Sequence, residues 1–184
     1  MRRSLSCLFL LTTALALSAL AACGGDDGSE ASSPPPSTKQ TLTKEEPSPA
    51  ALREALKDTS TKPVLPKPTG SPPRRLVKED VVKGKGPAAQ PGDSVTVNYL
   101  GVAFSTGEDF DNSWDRGQPI KVRLGAGQVI KGWDKGLVGM REGGRRILTI
   151  PPELAYGRQG YPPAIAPNET LVFVIDMVKI TPRS

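Results

Sequence analysis

The sequence contains no histidine, and its only cysteines, Cys7 and Cys23, both lie within the first 23 of its 184 residues. The missing imidazole removes the commonest general base and the commonest transition-metal ligand together. Beyond residue 23 there is neither a thiol nucleophile nor a disulfide partner, so Ser–His, Cys–His and zinc chemistry are all excluded. Aromatic residues make up only 5% of the chain. No basic run interleaved with aromatics occurs, and beyond Arg2 and Arg3 the cationic residues alternate with acidic ones. The net charge of +5 therefore does not point to nucleic acid. No apolar run reaches the roughly 20 residues of a membrane-spanning helix.

The apolar stretch that is present, about Leu8 to Leu20, follows the cationic Met1-Arg2-Arg3 and ends in Leu20-Ala21-Ala22-Cys23. That order is the one expected of a cleaved export signal, so 1–22 is expected to be removed. Leu-Ala-Ala-Cys resembles a bacterial lipobox, which implies a diacylglyceryl group on Cys23 and a protein held at the outer face of the bacterial cell membrane. From Gly24 to Arg75 there is no aromatic residue, and ten of the nineteen prolines fall there, including Pro34-Pro35-Pro36 and Pro72-Pro73. Such a segment buries too little apolar area to offset its ordering entropy, so 23–75 is expected to be a flexible, lipid-anchored tether. Within it, Ser48-Pro49 ahead of Ala50–Lys57 predicts two helical turns, with Ser48 as N-cap and Pro49 at the first helical position.

The texture changes at Leu76, and 76–184 is expected to be the folded domain. Alternation predicts strands over 94–100, with Val95, Val97 and Tyr99 on one face, and over 120–124. Further strands are expected over 76–83, 146–150 and 170–180, the last with Leu171, Phe173, Ile175 and Met177 on one face. Val129, Ile130, Trp133 and Leu137 have helical spacing, weakened by Gly132 and Gly136. Five to six antiparallel strands with one short helix cannot form a βαβ unit. They predict an α+β fold in which a curved antiparallel sheet wraps around the helix. Gly125-Ala126-Gly127 is not a dinucleotide loop, because position 130 is isoleucine where the fingerprint needs glycine. Asn168-Glu169-Thr170 is a chance glycosylation triplet behind a bacterial-type signal.

Five runs in this domain closely resemble the FKBP-type peptidyl-prolyl cis/trans isomerases, over about Gly92 to Ile180. They are Val97–Gly101, Phe110–Ser113 followed by Asp115-Arg116, Val129–Trp133, Pro151–Gly157 and Thr170–Phe173. The resemblance implies an apolar pocket between sheet and helix, floored by Trp133 and walled by Tyr99, Phe110, Val129, Ile130 and Phe173. It implies that Tyr156 offers its hydroxyl to the substrate backbone and that Asp111 lies near the substrate carbonyl, positioned by Tyr99 and Arg116. Ile165 would close one side from the loop after Tyr156. Tyr99, Phe110, Asp111, Tyr156 and Phe173 are then the candidate catalytic residues. The sequence departs from the family's pattern at Ile120, where many members carry a second pocket aromatic, and at Tyr161, where the loop often carries histidine. Both positions are expected to bear on substrate preference and macrolide affinity.

The resemblance implies no cofactor and no metal. The expected partners are proline-containing polypeptides, macrolide ligands and the membrane through the lipid anchor, with no nucleic acid, and the chain is expected to be monomeric. The expected function is assistance to the folding of exported proteins by stabilising the twisted X-Pro amide. A lipid-anchored binding module or chaperone with little turnover is the alternative, and a domain that scaffolds one dedicated partner is another.

Overall fold

The computed structural model describes residues 49–183. The expected signal, Cys23 with its lipid, the tether up to residue 48 and the Ser48 cap all lie outside the described residues. The chain enters with helix α1 (Pro49–Ala55), about the two turns read from the sequence, and then strands β1 (Val77–Val82), β2 (Ser94–Ala103), β3 (Asp109–Asn112) and β4 (Ile120–Arg123). Helix α2 (Lys131–Gly136), β5 (Arg145–Ile150), a short 3-10 turn at Pro152–Leu154 and β6 (Leu171–Thr181) complete it. All six strands join one antiparallel sheet in the order β1-β5-β6-β2-β3, and β4 also pairs with β2. One edge of β2 is thus shared: residues 94–97 pair with β4 and residues 100–102 with β3, while β6 runs along the other edge. The α+β sheet around a short helix is as the sequence indicated.

The sheet's inner face carries Val95, Val97, Tyr99, Leu148, Ile150, Leu171, Phe173, Ile175 and Met177, which pack with Trp133 and Leu137 of the helix region. Gly132 and Gly136, unfavourable for helix formation on their own, are what let α2 lie this close: a β-carbon on Gly132 would strike Ile150 and one on Gly136 would strike Leu148. Arg146 fixes the helix from the sheet, its guanidinium donating to the Gly136 carbonyl at 2.7 Å and to Asp80 at 2.6 Å. Cationic donors suit a helix C-terminus, where carbonyls lack partners.

β3 is the strand absent from the sequence reading. Asp-Phe-Asp-Asn has poor strand propensity and no alternation long enough to see; its ladder is supplied by β2. A register shift between Gly101 and Val102 leaves Phe110 as the extra residue of a bulge, a device that re-aims a side chain.

The expected flexible stretch reached to residue 75, but residues 49 to 68 are packed against the sheet's outer face. Leu56 is buried, and Leu65 joins Leu100, Val102, Val172, Phe104 and Ile147 in a second apolar cluster. Arg145, with 0% of its surface exposed, donates to both carboxylate oxygens of Asp176 at 2.5 and 2.7 Å. The same guanidinium donates to the carbonyls of Leu56, Asp58 and Thr61 at 3.0, 2.8 and 3.2 Å. Low aromatic content concealed this strap because its ordering rests on main-chain carbonyls and on an arginine 84 or more residues away. It also explains why β6 is buried on both faces from Leu171 to Met177, beyond the alternation expected for a half-buried strand. Among the described residues no helix is long and apolar enough to cross a membrane.

Candidate active site

Between the concave sheet and α2 lies a cavity of about 160 Å³ lined by Tyr99, Phe110, Asp111, Ile120, Gln128, Val129, Ile130, Trp133, Tyr156 and Phe173. The aromatics form an edge-to-face cluster. Trp133 meets Tyr99 at 5.2 Å between ring centroids and Phe173 at 5.3 Å, and Phe110 meets Phe173 at 5.6 Å with planes at 89°. Such contacts hold each ring in one orientation and add to simple area burial. Gly101 makes room for them: a β-carbon there would lie 2.8 Å from both Phe110 Cζ and Phe173 Cε1. The Trp133 indole Nε1 is buried without a hydrogen-bond partner, so the floor holds an unused donor.

Apart from that indole N–H, the polar groups lie at the rim. The Tyr99 hydroxyl donates to Asp111 Oδ2 at 2.5 Å. Arg116 donates from Nη1 to Asp111 Oδ1 at 2.5 Å and from Nη2 to the Tyr99 oxygen at 2.6 Å. The three groups form a closed triangle, with the guanidinium carbon 5.4 Å from the centre of the Tyr99 ring. Burial, and next the bond to Asp111, pushes the Tyr99 hydroxyl up to about 12, so it stays a proton donor at any physiological pH. The bonds to Asp111 and Tyr99 push the Arg116 guanidinium further up. Burial, and then the Asp111 charge, raises Tyr156, which keeps its hydroxyl protonated too.

Eight of the residues named from the sequence therefore meet in one wall and floor, together with Asp111. Arg116 reaches the site through its hydrogen bonds rather than through the cavity wall. Ile165 and Tyr161 stand outside the lining. Ile165 is buried in the core, and its main chain exchanges hydrogen bonds of 2.9 Å with Tyr161. Tyr161 is 64% exposed, and its ring centroid lies 5.8 Å from that of Tyr156. Gln128 lines the cavity and was not foreseen. Its side-chain oxygen accepts from the Arg123 N–H at 2.9 Å, a local contact with no sequence signature beyond its place beside Val129. Among the described residues no group of three metal-ligating side chains is found.

The fold and this site define a class of protein with a small aromatic cavity over an indole and a charged hydrogen-bonded rim. The family follows from comparison: residues 86–178 match the family model described as FKBP-type peptidyl-prolyl cis-trans isomerase. A protein named FK506-binding protein from Streptomyces anulatus is 56% identical over 120 residues, 65% of this chain and 97% of that one. A probable FK506-binding protein from Corynebacterium glutamicum is 49% identical over 117 residues, covering 64% and 97%. The crystal structure of FkpA from Escherichia coli has 46% identity and a TM-score of 0.54, over 59% of this chain and 49% of that one. The chain belongs to the FKBP-type peptidyl-prolyl cis/trans isomerase family and is an enzyme of that type. The 120-residue match is longer than 76–184, so it extends into the strap.

Proposed function

We propose that the aromatic cavity is the isomerase site and that it acts on X-Pro bonds of exported polypeptides at the outer face of the bacterial membrane, with lipidated Cys23 as the anchor. The observation that carries the isomerase site is the segregation within it, an apolar floor and walls with a fixed Tyr99–Asp111–Arg116 triangle at one edge; the export and the anchor rest on the Met1–Cys23 sequence alone. Rotation about an X-Pro bond is slow because amide resonance must be lost, a barrier of roughly 18–20 kcal/mol. The twisted amide is less polar than the planar one. A cavity that seats the proline ring on Trp133 and strips water from the amide disfavours the planar form relative to the twisted one. Only an interaction stronger in the transition state than in the ground state raises the rate.

In this reading Tyr156 holds the substrate backbone through its hydroxyl. Asp111, fixed by Tyr99 and Arg116, sets the local field at the rotating carbonyl. Phe110 and Phe173 wall the proline. No bond to carbon is made or broken, and no proton changes hands, which agrees with a chain without histidine. A barrier lowered by about 5 kcal/mol corresponds to several thousandfold in rate. Ile120 in the cavity wall and Tyr161 at the mouth set the preference for the residue before proline. FK506-type macrolides, which the relatives' names record as their ligands, would enter the same cavity with an affinity tuned by Ile120.

The test is isomerisation of proline-containing tetrapeptides by the protein beside Phe173→Ala and Asp111→Ala, with circular dichroism to check folding. Acceleration that falls sharply in both folded variants is expected. A folded wild type without acceleration over a range of residues before proline would leave a tethered binding module instead.

A further inference from the structure

The strap contributes one side chain to the surroundings of the site. Lys62 Nζ lies 2.9 and 3.0 Å from the two carboxylate oxygens of Asp115 and 3.0 Å from Asp109 Oδ2. Asp109 stands two residues before Asp111 on β3, and Asp115 immediately precedes Arg116. Asn112 ties the same two carboxylates from the other side, its Nδ2 donating to Asp115 at 2.8 Å and to Asp109 at 3.3 Å. The Asp115 N–H is held in turn by Asn112 Oδ1 at 2.8 Å. Two carboxylates therefore flank the Asp111–Arg116 pair, and one ammonium serves both.

The position of Lys62 is itself fixed. The residue before it gives its carbonyl to the buried Arg145 guanidinium, and the residue after it, Pro63, is buried. The ammonium is thus delivered to this turn by the fold rather than by a free side chain. Asp109, Asp111 and Asp115 are three carboxylates within seven residues, and Arg116, which follows Asp115 in the chain, is bonded to Asp111. Remove Lys62, and Asp115 and Asp109 compete with Asp111 and the Tyr99 oxygen for Arg116. Like charges left close together also raise the energy of the turn. Asp115 is held below the usual carboxylate range first by Lys62 and then by Asn112; an ordinary carboxylate is charged near neutral pH in any case, so without Lys62 it is a competing anion.

We propose that Lys62 is a positioning residue of the isomerase site: by neutralising Asp109 and Asp115 it leaves Arg116 to Asp111 and Tyr99. The proposal rests on the reading of the cavity as the active site. It makes the strap part of the catalytic apparatus, although the strap lies outside the family match at 86–178. Lys62 touches no cavity wall, so its effect falls on kcat while KM for a peptide holds. The ion pairs are partly exposed, which limits the effect to a modest size.

The experiment compares the wild type with Lys62→Met, Lys62→Arg and the double variant Lys62→Met with Asp115→Asn. Two readouts are used: peptide isomerisation and the NMR signals of the Arg116 guanidinium protons. Lys62→Met is expected to lower kcat roughly fivefold at unchanged KM and to release the Arg116 signals from their hydrogen-bonded positions. Lys62→Arg should restore both. The double variant should recover most of both, because it removes the carboxylate next to Arg116 without restoring the cation and leaves only Asp109 to compete. Arg116 signals and kcat unchanged in Lys62→Met would overturn the proposal. So would a loss of activity that tracks thermal stability and is not recovered by Asp115→Asn, since Lys62 would then only hold the fold. If the wild type itself proved inactive, the reading of the cavity would fail, and the Arg116 signals alone would still decide whether Lys62 positions that side chain.

Discussion

Tyr99 connects the apolar floor to the charged rim, because its ring packs on Trp133 and its hydroxyl closes the triangle with Asp111 and Arg116. A phenol pushed up to about 12 is one whose neutral form the fold prefers. Its contribution to stability is therefore complete below the ordinary tyrosine value of about 10 and is lost as pH rises through about 12. The chain has three tyrosines. A tyrosinate absorbance titration should show one ionising near pH 12, and that late step should vanish in Tyr99→Phe. An earlier, single transition for all three would contradict the closed triangle. Gly101 gives a second residue-scale prediction. Gly101→Ala places a methyl against Phe110 and Phe173, and overpacking of this kind costs about 1–3 kcal/mol. The protein should stay folded with a lower melting temperature and lose most of its isomerase activity, as the two rings swing into the cavity. The rings, the indole and the acid were legible as residues. The need for a glycine opposite them was not, because the Gly101 constraint comes from a neighbouring strand.

Helix α2 is six residues long and carries two glycines, so propensity alone would not sustain it. Its glycines fit Ile150 and Leu148 instead. Gly132→Ala should therefore lower stability, by about 1–3 kcal/mol in chemical denaturation, although alanine is the better helix former. A gain in stability would mean that the sheet yields at Ile150. The apolar spacing at 129, 130, 133 and 137 pointed to this helix, but of the four only Trp133 lies within Lys131–Gly136, with Ile130 and Leu137 at its caps. It could not locate β3, whose four residues include two aspartates and an asparagine and whose pairing is set by β2. Nor could it show that Phe110 is the bulged residue. Strand β6 was legible on its inner face only. Val172 is covered by Leu65 of the strap, more than a hundred positions away.

At the scale of the molecule, the sheet has two apolar faces, and α2 covers only the inner one. The outer face, with Leu100, Val102, Val172 and Ile147, is closed by Leu65 and the rest of the strap, and Arg145 bonds the strap's carbonyls from within. A folding unit that began at Leu76 would expose that face and leave the buried guanidinium with Asp176 alone. Unfilled, each lost apolar contact removes about 1.5–3 kcal/mol at most, and stripping partners from a buried charge adds to it. Together a loss of about 3–5 kcal/mol is expected, a large share of the 5–15 kcal/mol that typically holds a domain. Two truncations test this by thermal and urea unfolding. The chain from Pro49 should unfold as the full chain does, whereas the chain from Leu76 should melt well below it and tend to aggregate. The Leu76 form should also be slow as an isomerase even where folded, because Lys62 leaves with the strap. Equal stability of the two forms would show that the strap only rests on the sheet. Composition set the boundary of order at residue 76, since polar, proline-rich sequence seldom folds by itself. This segment is ordered by the domain it crosses, through carbonyl groups that every sequence possesses and none advertises.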